Sequence, residues 1–197
     1  AAALVLCNPE RVVVKKKTPK IKISELLADR NFWALVAGIF SGTFAGLLVI
    51  GNLKPIGLSM DVGMTFATAA ISSFAIGNAL GRVTWGFISD KIDSKAITAS
   101  LVFLGVSVGV LLIKFPLPWI FVAVAVLVGF GFGACFVVYV AQTANIYGTE
   151  VVGSVYPLVF LAYGLSGIVG PTIGGWLYDV SATYSSAMIV AAVISLA

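Results

Sequence analysis

The sequence predicts an all-α integral membrane protein built as a bundle of six spans. Three observations carry this. Of 197 residues, 60% are hydrophobic and 10% charged, with a mean hydropathy of +1.09, where a soluble domain carries roughly 25% charged residues. The charges sit in short islands between apolar runs, several of them near the roughly 20 residues that cross a bilayer. Small residues recur four apart inside those runs, at Gly42 and Gly46 and again at Gly77 and Gly81, a spacing that lets membrane helices approach closely.

Taken in order, 1–6 is apolar but too short to span, and reads as the tail of a preceding membrane helix stopped by Asn8 and Pro9. No basic region precedes it and no cleavage site follows, so it is not a signal peptide. Residues 7–31 form a polar linker carrying Arg11, Lys15, Lys16, Lys17, Lys20, Lys22 and Arg30. Ser24 is an expected N-cap with Glu25 in the first turn, and Leu26, Leu27 and Phe32 are expected on the membrane surface. The spans are 32–50, 64–88, 96–113, 119–141, 153–177 and 185–197. The 52–57 stretch with Pro55 is expected to break the first, and Trp119 to sit at an interface. Pro157 and Pro171 lie inside the fifth, tolerated where neighbours satisfy the freed backbone groups. The sixth has about 13 residues, short of the roughly 20 required. The domain is therefore expected to be truncated at both ends.

Loop charge sets orientation. Seven basic residues in the linker join Lys91 and Lys95 in the third loop, against Lys54 and Lys114 in the second and fourth. The positive-inside rule places the linker and the third loop in the cytoplasm of a multi-pass cell-membrane protein. The net charge of +4 comes largely from the linker, a topology signal and not a nucleic-acid patch. There is no histidine, so the usual proton shuttle and commonest metal ligand are missing. Cys7 and Cys135 are far apart in dissimilar settings, which suggests neither a disulfide framework nor a zinc site. No metal or other cofactor is implied. The run 129–134, G-F-G-F-G-A, lacks the preceding strand and following acid of a dinucleotide site, and helix packing accounts for it better.

The stretch 76–95 carries the most chemistry. Arg82 lies inside an apolar helix, where an ionisable residue costs about 2.5 to 3.5 kcal/mol and is a functional candidate by default. Its guanidinium suits a carboxylate held by two parallel hydrogen bonds. Two other readings stand beside this one: snorkelling to the nearer surface, or pairing with an acid in another part of the protein. Asn78 lies four residues earlier on the same face and Trp85 three later. Asn78 orients Arg82, donates to a ligand, or bonds between helices. No Asp or Glu lies deep in a span, so no acid-based proton relay is visible.

The same helix leaves the membrane through Gly86, Asp90, Lys91 and Lys95. These match the loop signature of the major facilitator superfamily, G-x-x-x-D-[RK]-x-G-[RK]-[RK], with Asp93 in place of the second glycine and Ser94 in place of a basic residue. The chain resembles that superfamily over nearly its whole length, most sharply the oxalate/formate antiporter and monocarboxylate transporter branch. The resemblance rests on 46–56 (G-L-L-V-I-G-N-L-K-P-I), 82–90 (R-V-T-W-G-F-I-S-D) and 146–156, running on to Gly164, Gly170, Pro171, Tyr178 and Asp179.

The resemblance implies the six-helix half of such a bundle, spans seven to twelve, paired with an N-terminal half. Spans one to six are the other alignment, supported by 170–175 (G-P-T-I-G-G). It implies a secondary transporter of small carboxylates, working by alternating access around a midplane site, with the loop signature gating the change. It places a substrate-binding arginine at Arg82 and pocket aromatics at Phe132, Phe136 and Phe160. At Tyr163 it implies a lysine in the oxalate carrier, so a second cation is absent here. A stripe of aromatics also serves plain packing, and a tyrosine also bonds between helices. A transporter of another substrate class, or a non-transporting scaffold or receptor, remains the alternative. A membrane enzyme would need grouped nucleophiles, acids or metal ligands, which the sequence lacks. The expected partners are a carboxylate substrate, membrane lipid and the N-terminal half, with no nucleic acid.

Overall fold

The computed structural model describes residues 22–113 and 117–196, and the described residues form helices joined by short turns. The tail at 1–6, most of the linker and the turn at 114–116 lie outside them. The elements are α1 (Ile23–Ala28), α2 (Arg30–Ser59), α3 (Met64–Ile92), α4 (Lys95–Val110), α5 (Pro118–Tyr147), α6 (Val152–Ser181) and α7 (Ser185–Leu196). Four of them, α2, α3, α5 and α6, are long and apolar enough to cross a membrane. The apolar helices α4 and α7 have 16 and 12 residues.

Helix ends depart from expectation where polar or breaking residues suggested a stop. The first long helix does not break at 52–57. It runs through Pro55 to Ser59. Proline removes one hydrogen bond, but an unwound segment away from water leaves several groups unpaired. Leu53 and Ile56 are fully buried on the continued turns, and Gly57 fits closely against Phe121 and Ala67. Helix α5 likewise passes Gln142 to end at Tyr147, with Gln142 and Thr143 buried. Helix α6 extends to Ser181 before Ala182 turns it off at φ 53°.

The cap of α1 is Lys22, not Ser24, and no side chain bonds there. The short helix packs against α2. Leu26 and Phe32 are buried while Leu27 is exposed, and the Trp33 indole N–H donates to the Leu27 carbonyl at 2.9 Å. Asp29 then caps α2 by accepting the Asn31 backbone N–H at 2.9 Å.

Helix α2 is central and touches each of the other six. Around it, the tightest seam joins α3 to α5, and small residues make it. A Cβ on Gly77 would lie 2.1 Å from the Val126 carbonyl oxygen, and one on Gly81 2.2 Å from that of Phe130. The fit is reciprocal: Gly129 meets the Phe74 carbonyl at 2.1 Å and Gly133 the Asn78 carbonyl at 2.5 Å. Both backbones therefore pack without side chains between them, as closely spaced small residues allow. Gly42 and Gly46 serve another purpose, seating the Cys135 thiol and the Phe132 ring of α5. On the other side of α2, the hydroxyls of Thr43 and Ser166 lie 2.8 Å apart, and Gly174 admits the Asn52 amide.

The outer walls are α3 and α6. Of their most apolar stretches, 28% and 22% are buried, against 50% and 56% for α2 and α5. The bundle therefore leaves open the helices that bear Arg82 and Tyr163.

Candidate functional site

The site is a layer across three helices. The midpoint of α3 is Asn78, and Arg82 lies about 6 Å from it at 1.5 Å per residue. Tyr163 on α6 and Phe132 and Phe136 on α5 lie within four residues of their own midpoints. Because α3 runs on to Ile92, Arg82 is ten residues from the end of its helix, roughly 15 Å. That matches about half the hydrocarbon thickness, a long reach for snorkelling.

Arg82 is fixed at two points. Its Nε–H donates to Asn78 Oδ1 at 2.8 Å, as the i, i+4 spacing allows. Its guanidinium carbon stands 4.1 Å from the centroid of the Phe136 ring, within reach of an attractive cation–π contact. Among the described residues, its hydrogen bonding uses Nε alone, and the side chain is exposed. Arg82 lines a groove of about 510 Å³ together with Ile50, Ile71, Phe74, Ala75, Asn78, Ala79 and Phe132.

The aromatic residues are contiguous. Phe132 meets Phe136 edge to face at 5.2 Å, and Phe136 meets Tyr163 at 5.5 Å. Phe160 stacks on Tyr163 at 4.9 Å, their i, i+3 spacing turning both rings to one side. Phe136 thus links Arg82 on α3 to Tyr163 on α6. The Tyr163 hydroxyl makes no hydrogen bond to a described residue. Phe132 is 4% exposed and packs on Phe74, so it is more a floor than a gatepost.

Trp85 does not share the groove. It is 5% exposed, turned into α4 and α5 against Phe103 and Phe130. A larger groove, about 660 Å³, lies elsewhere between α1, α2 and α6, lined by apolar and aromatic residues. Size alone would select it, but a carboxylate needs donors, and those are at Arg82.

The loop-signature residues Asp90, Lys91 and Lys95 are exposed around the α3–α4 turn, and a Cβ on Gly86 would meet nothing within 4 Å. The residue that shapes the turn is Asp93, at φ 50° and ψ −130°, a conformation favouring glycine. Its carboxylate accepts from Asn145 Nδ2 at 2.8 Å and from Gln142 Nε2 at 3.3 Å, both on α5. Sequence reading missed this tie. The available signal was two amides three apart near the end of an apolar run, beside an acid in a glycine's place. A second missed tie is at the same end of the bundle, where the Tyr147 hydroxyl donates to Asp29. That bond, and then the Asn31 N–H, hold the Asp29 carboxyl below its ordinary range.

Comparison with known proteins supplies the family. The Major Facilitator Superfamily model matches residues 47–197. The oxalate:formate antiporter of Oxalobacter formigenes is 29% identical over 155 residues, 76% of this chain and 36% of the antiporter. Monocarboxylate transporter 14 of Homo sapiens is 29% identical over 158 residues, 78% of this chain and 29% of that protein. Monocarboxylate transporter 7 of Homo sapiens is 27% identical over 182 residues, 88% and 34%. The chain therefore spans about a third of the length of these relatives. Fold and sequence define a multi-pass membrane protein of a transporter class, not an enzyme. The chain belongs to the Major Facilitator Superfamily.

Proposed function

We propose that this chain forms the C-terminal half of a secondary transporter that carries small carboxylates by alternating access, with Arg82 as the anion anchor. The observation that carries the reading is Arg82 itself, set near mid-helix with Nε held by Asn78, its guanidinium carbon over the Phe136 ring and its side chain lining a groove. A carboxylate would accept two parallel N–H bonds from that fork. Phe132, Phe136, Phe160 and Tyr163 would form the wall that excludes water, which strengthens the ionic contact. The printed names of the relatives, an oxalate:formate antiporter and monocarboxylate transporters, support the substrate class. Gly86, Asp90, Lys91 and Lys95 would act in gating, at the end of the bundle where an N-terminal half closes on this one. The basic linker at 7–31 supports a cytoplasmic side for that end.

The test is a panel of anions on the full-length protein in proteoliposomes, read as exchange of labelled substrate. Saturable exchange of a small carboxylate supports the reading. Exchange of sugars, amines or peptides with no carboxylate competing would overturn it. Single cysteines replacing Ser94 and Leu117 check the orientation, since the first should react only from the cytoplasm and the second only from outside.

A further inference from the structure

The apolar groove between α1, α2 and α6 is unused by the transport reading and does not depend on it. Its walls are Ile23 and Leu27 from α1, Trp33 and Phe40 from α2, and Leu161 and Leu165 from α6. Leu161 is 68% exposed and Trp33 52%, so the described residues leave it uncovered. Two features say what fits. The first is length: from Phe32 to Phe40 the groove follows α2 for about 12 Å at 1.5 Å per residue, most of the roughly 15 Å that one leaflet contributes to the hydrocarbon core. That suits one acyl chain in one leaflet. The second is charge at one end only. Arg30 stands three residues before Trp33 and seven before Ala37, on the face that lines the groove. Both Arg30 and Lys22 are exposed, Lys22 preceding the lining residue Ile23 and standing 4.0 Å from the exposed Glu25 carboxylate, and Lys15, Lys16, Lys17 and Lys20 precede them in sequence.

We propose that this groove binds a single anionic phospholipid, an acyl chain lying along α2 and α6 and the headgroup phosphate at Lys22 and Arg30. The Trp33 indole, tied to the Leu27 carbonyl, holds α1 as the wall that separates the lipid from water. An amphipathic ring at that level is at home near headgroups. A basic side chain near an anionic lipid surface favours it measurably, and two of them add. The preference belongs to whichever leaflet the linker faces.

The experiment is done on the full-length protein in phosphatidylcholine nanodiscs. Phosphatidylglycerol brominated on its acyl chains is titrated in, and separately phosphatidylcholine brominated identically. The Trp33 signal is the fluorescence difference between parent and Trp33→Phe. Half-maximal quenching is expected at roughly one-tenth the mole fraction of phosphatidylglycerol that phosphatidylcholine requires. The difference should vanish in Lys22→Gln/Arg30→Gln and persist in Lys91→Gln/Lys95→Gln, which removes equal charge at the same end. Native mass spectrometry provides a second readout: one retained phosphatidylglycerol per chain, lost in Ala37→Trp, which fills the groove. Equal quenching by both lipids would mean ordinary surrounding lipid and overturn the site. Absence of quenching by either would mean that a protein segment covers the groove, and would overturn it too.

Discussion

Phe136 presents its ring to Arg82, with the guanidinium carbon 4.1 Å from the ring centroid. The contact matters because Arg82 has few other restraints. One hydrogen bond to Asn78 fixes Nε, and the ring fixes the plane. Removing either should loosen the fork without removing charge. Phe136→Leu and Asn78→Ala are therefore expected to weaken carboxylate binding by about 2- to 10-fold, in line with roughly 0.5–1.5 kcal/mol for such contacts. Arg82→Lys keeps the charge but loses the planar fork, and should weaken binding by about 10-fold or more. Arg82→Ala should abolish exchange. Counterflow and membrane insertion are measured together. Near-normal exchange by inserted Arg82→Ala would remove Arg82 from the site.

How much of this was legible in the sequence depends on the range of the interaction. Arg82 with Asn78, and Phe160 with Tyr163, are neighbours by helical periodicity alone. The price of a cation in an apolar span marked the first pair before any geometry was known. The glycine pairs announced close packing but not their partners, and Gly77 with Gly129 forms one seam only because α3 and α5 are adjacent. Pro55 misled because local propensity favours a stop, whereas burial of Leu53 and Ile56 favours continuation. Contacts between helices stayed hidden. Asp93 reaches Asn145 across 52 positions and Tyr147 reaches Asp29 across 118, and no periodicity connects such residues.

The Asp93 turn sets two terms against each other. Its backbone at φ 50° and ψ −130° costs a non-glycine residue about 1–3 kcal/mol. Its carboxylate returns part of that through Asn145 and the buried Gln142, at about 0.5–1.5 kcal/mol for each bond. Asp93→Gly should relieve the first term and forfeit the second. The expected sign is a coupling: Asp93→Gly raises the melting temperature more in a Gln142→Ala/Asn145→Ala background than in the parent. Thermal unfolding of the four detergent-purified full-length proteins checks this. Equal shifts in both backgrounds would show that the amides do not hold the turn.

Glycines on the α3–α5 seam and the loop-signature glycine should part company. A methyl group on Gly77 or Gly129 meets a backbone carbonyl at 2.1 Å, and a carbonyl in a helix cannot step aside alone. The two helices must separate, and overpacking of this kind costs about 1–3 kcal/mol. Gly77→Ala and Gly129→Ala are expected to lower the melting temperature. Gly86→Ala meets nothing within 4 Å and should leave it unchanged or slightly raised, since alanine stabilises a helix relative to glycine by about 0.5–1 kcal/mol. A large loss of stability for Gly86→Ala would show that its role lies in folding. Slowed exchange with stability intact would place it in gating.

The remaining prediction concerns substrate charge. Arg82 supplies the cation of this groove, and the aromatic neighbour reached through Phe136 is Tyr163, where resemblance to the oxalate carrier would put a lysine. A monocarboxylate bound at Arg82 forms a neutral pair. A dicarboxylate leaves one negative charge in a groove whose lining, apart from Arg82 and Asn78, is the apolar Ile50, Ile71, Phe74, Ala75, Ala79 and Phe132. The effective penalty for a desolvated ion is several kcal/mol, and each 1.4 kcal/mol is about tenfold in affinity. Even with water reaching part of the groove, formate, acetate or lactate should bind at least about tenfold more tightly than oxalate. Tyr163→Lys should move the preference toward oxalate, because the new ammonium would sit beside Phe136 and Phe160 in the same layer. Competition against a labelled monocarboxylate, with the full-length protein and the Tyr163→Lys variant side by side, measures both effects. Tighter binding of oxalate than of any monocarboxylate with Tyr163 intact would mean that a second cation comes from outside these helices, and would end the charge argument.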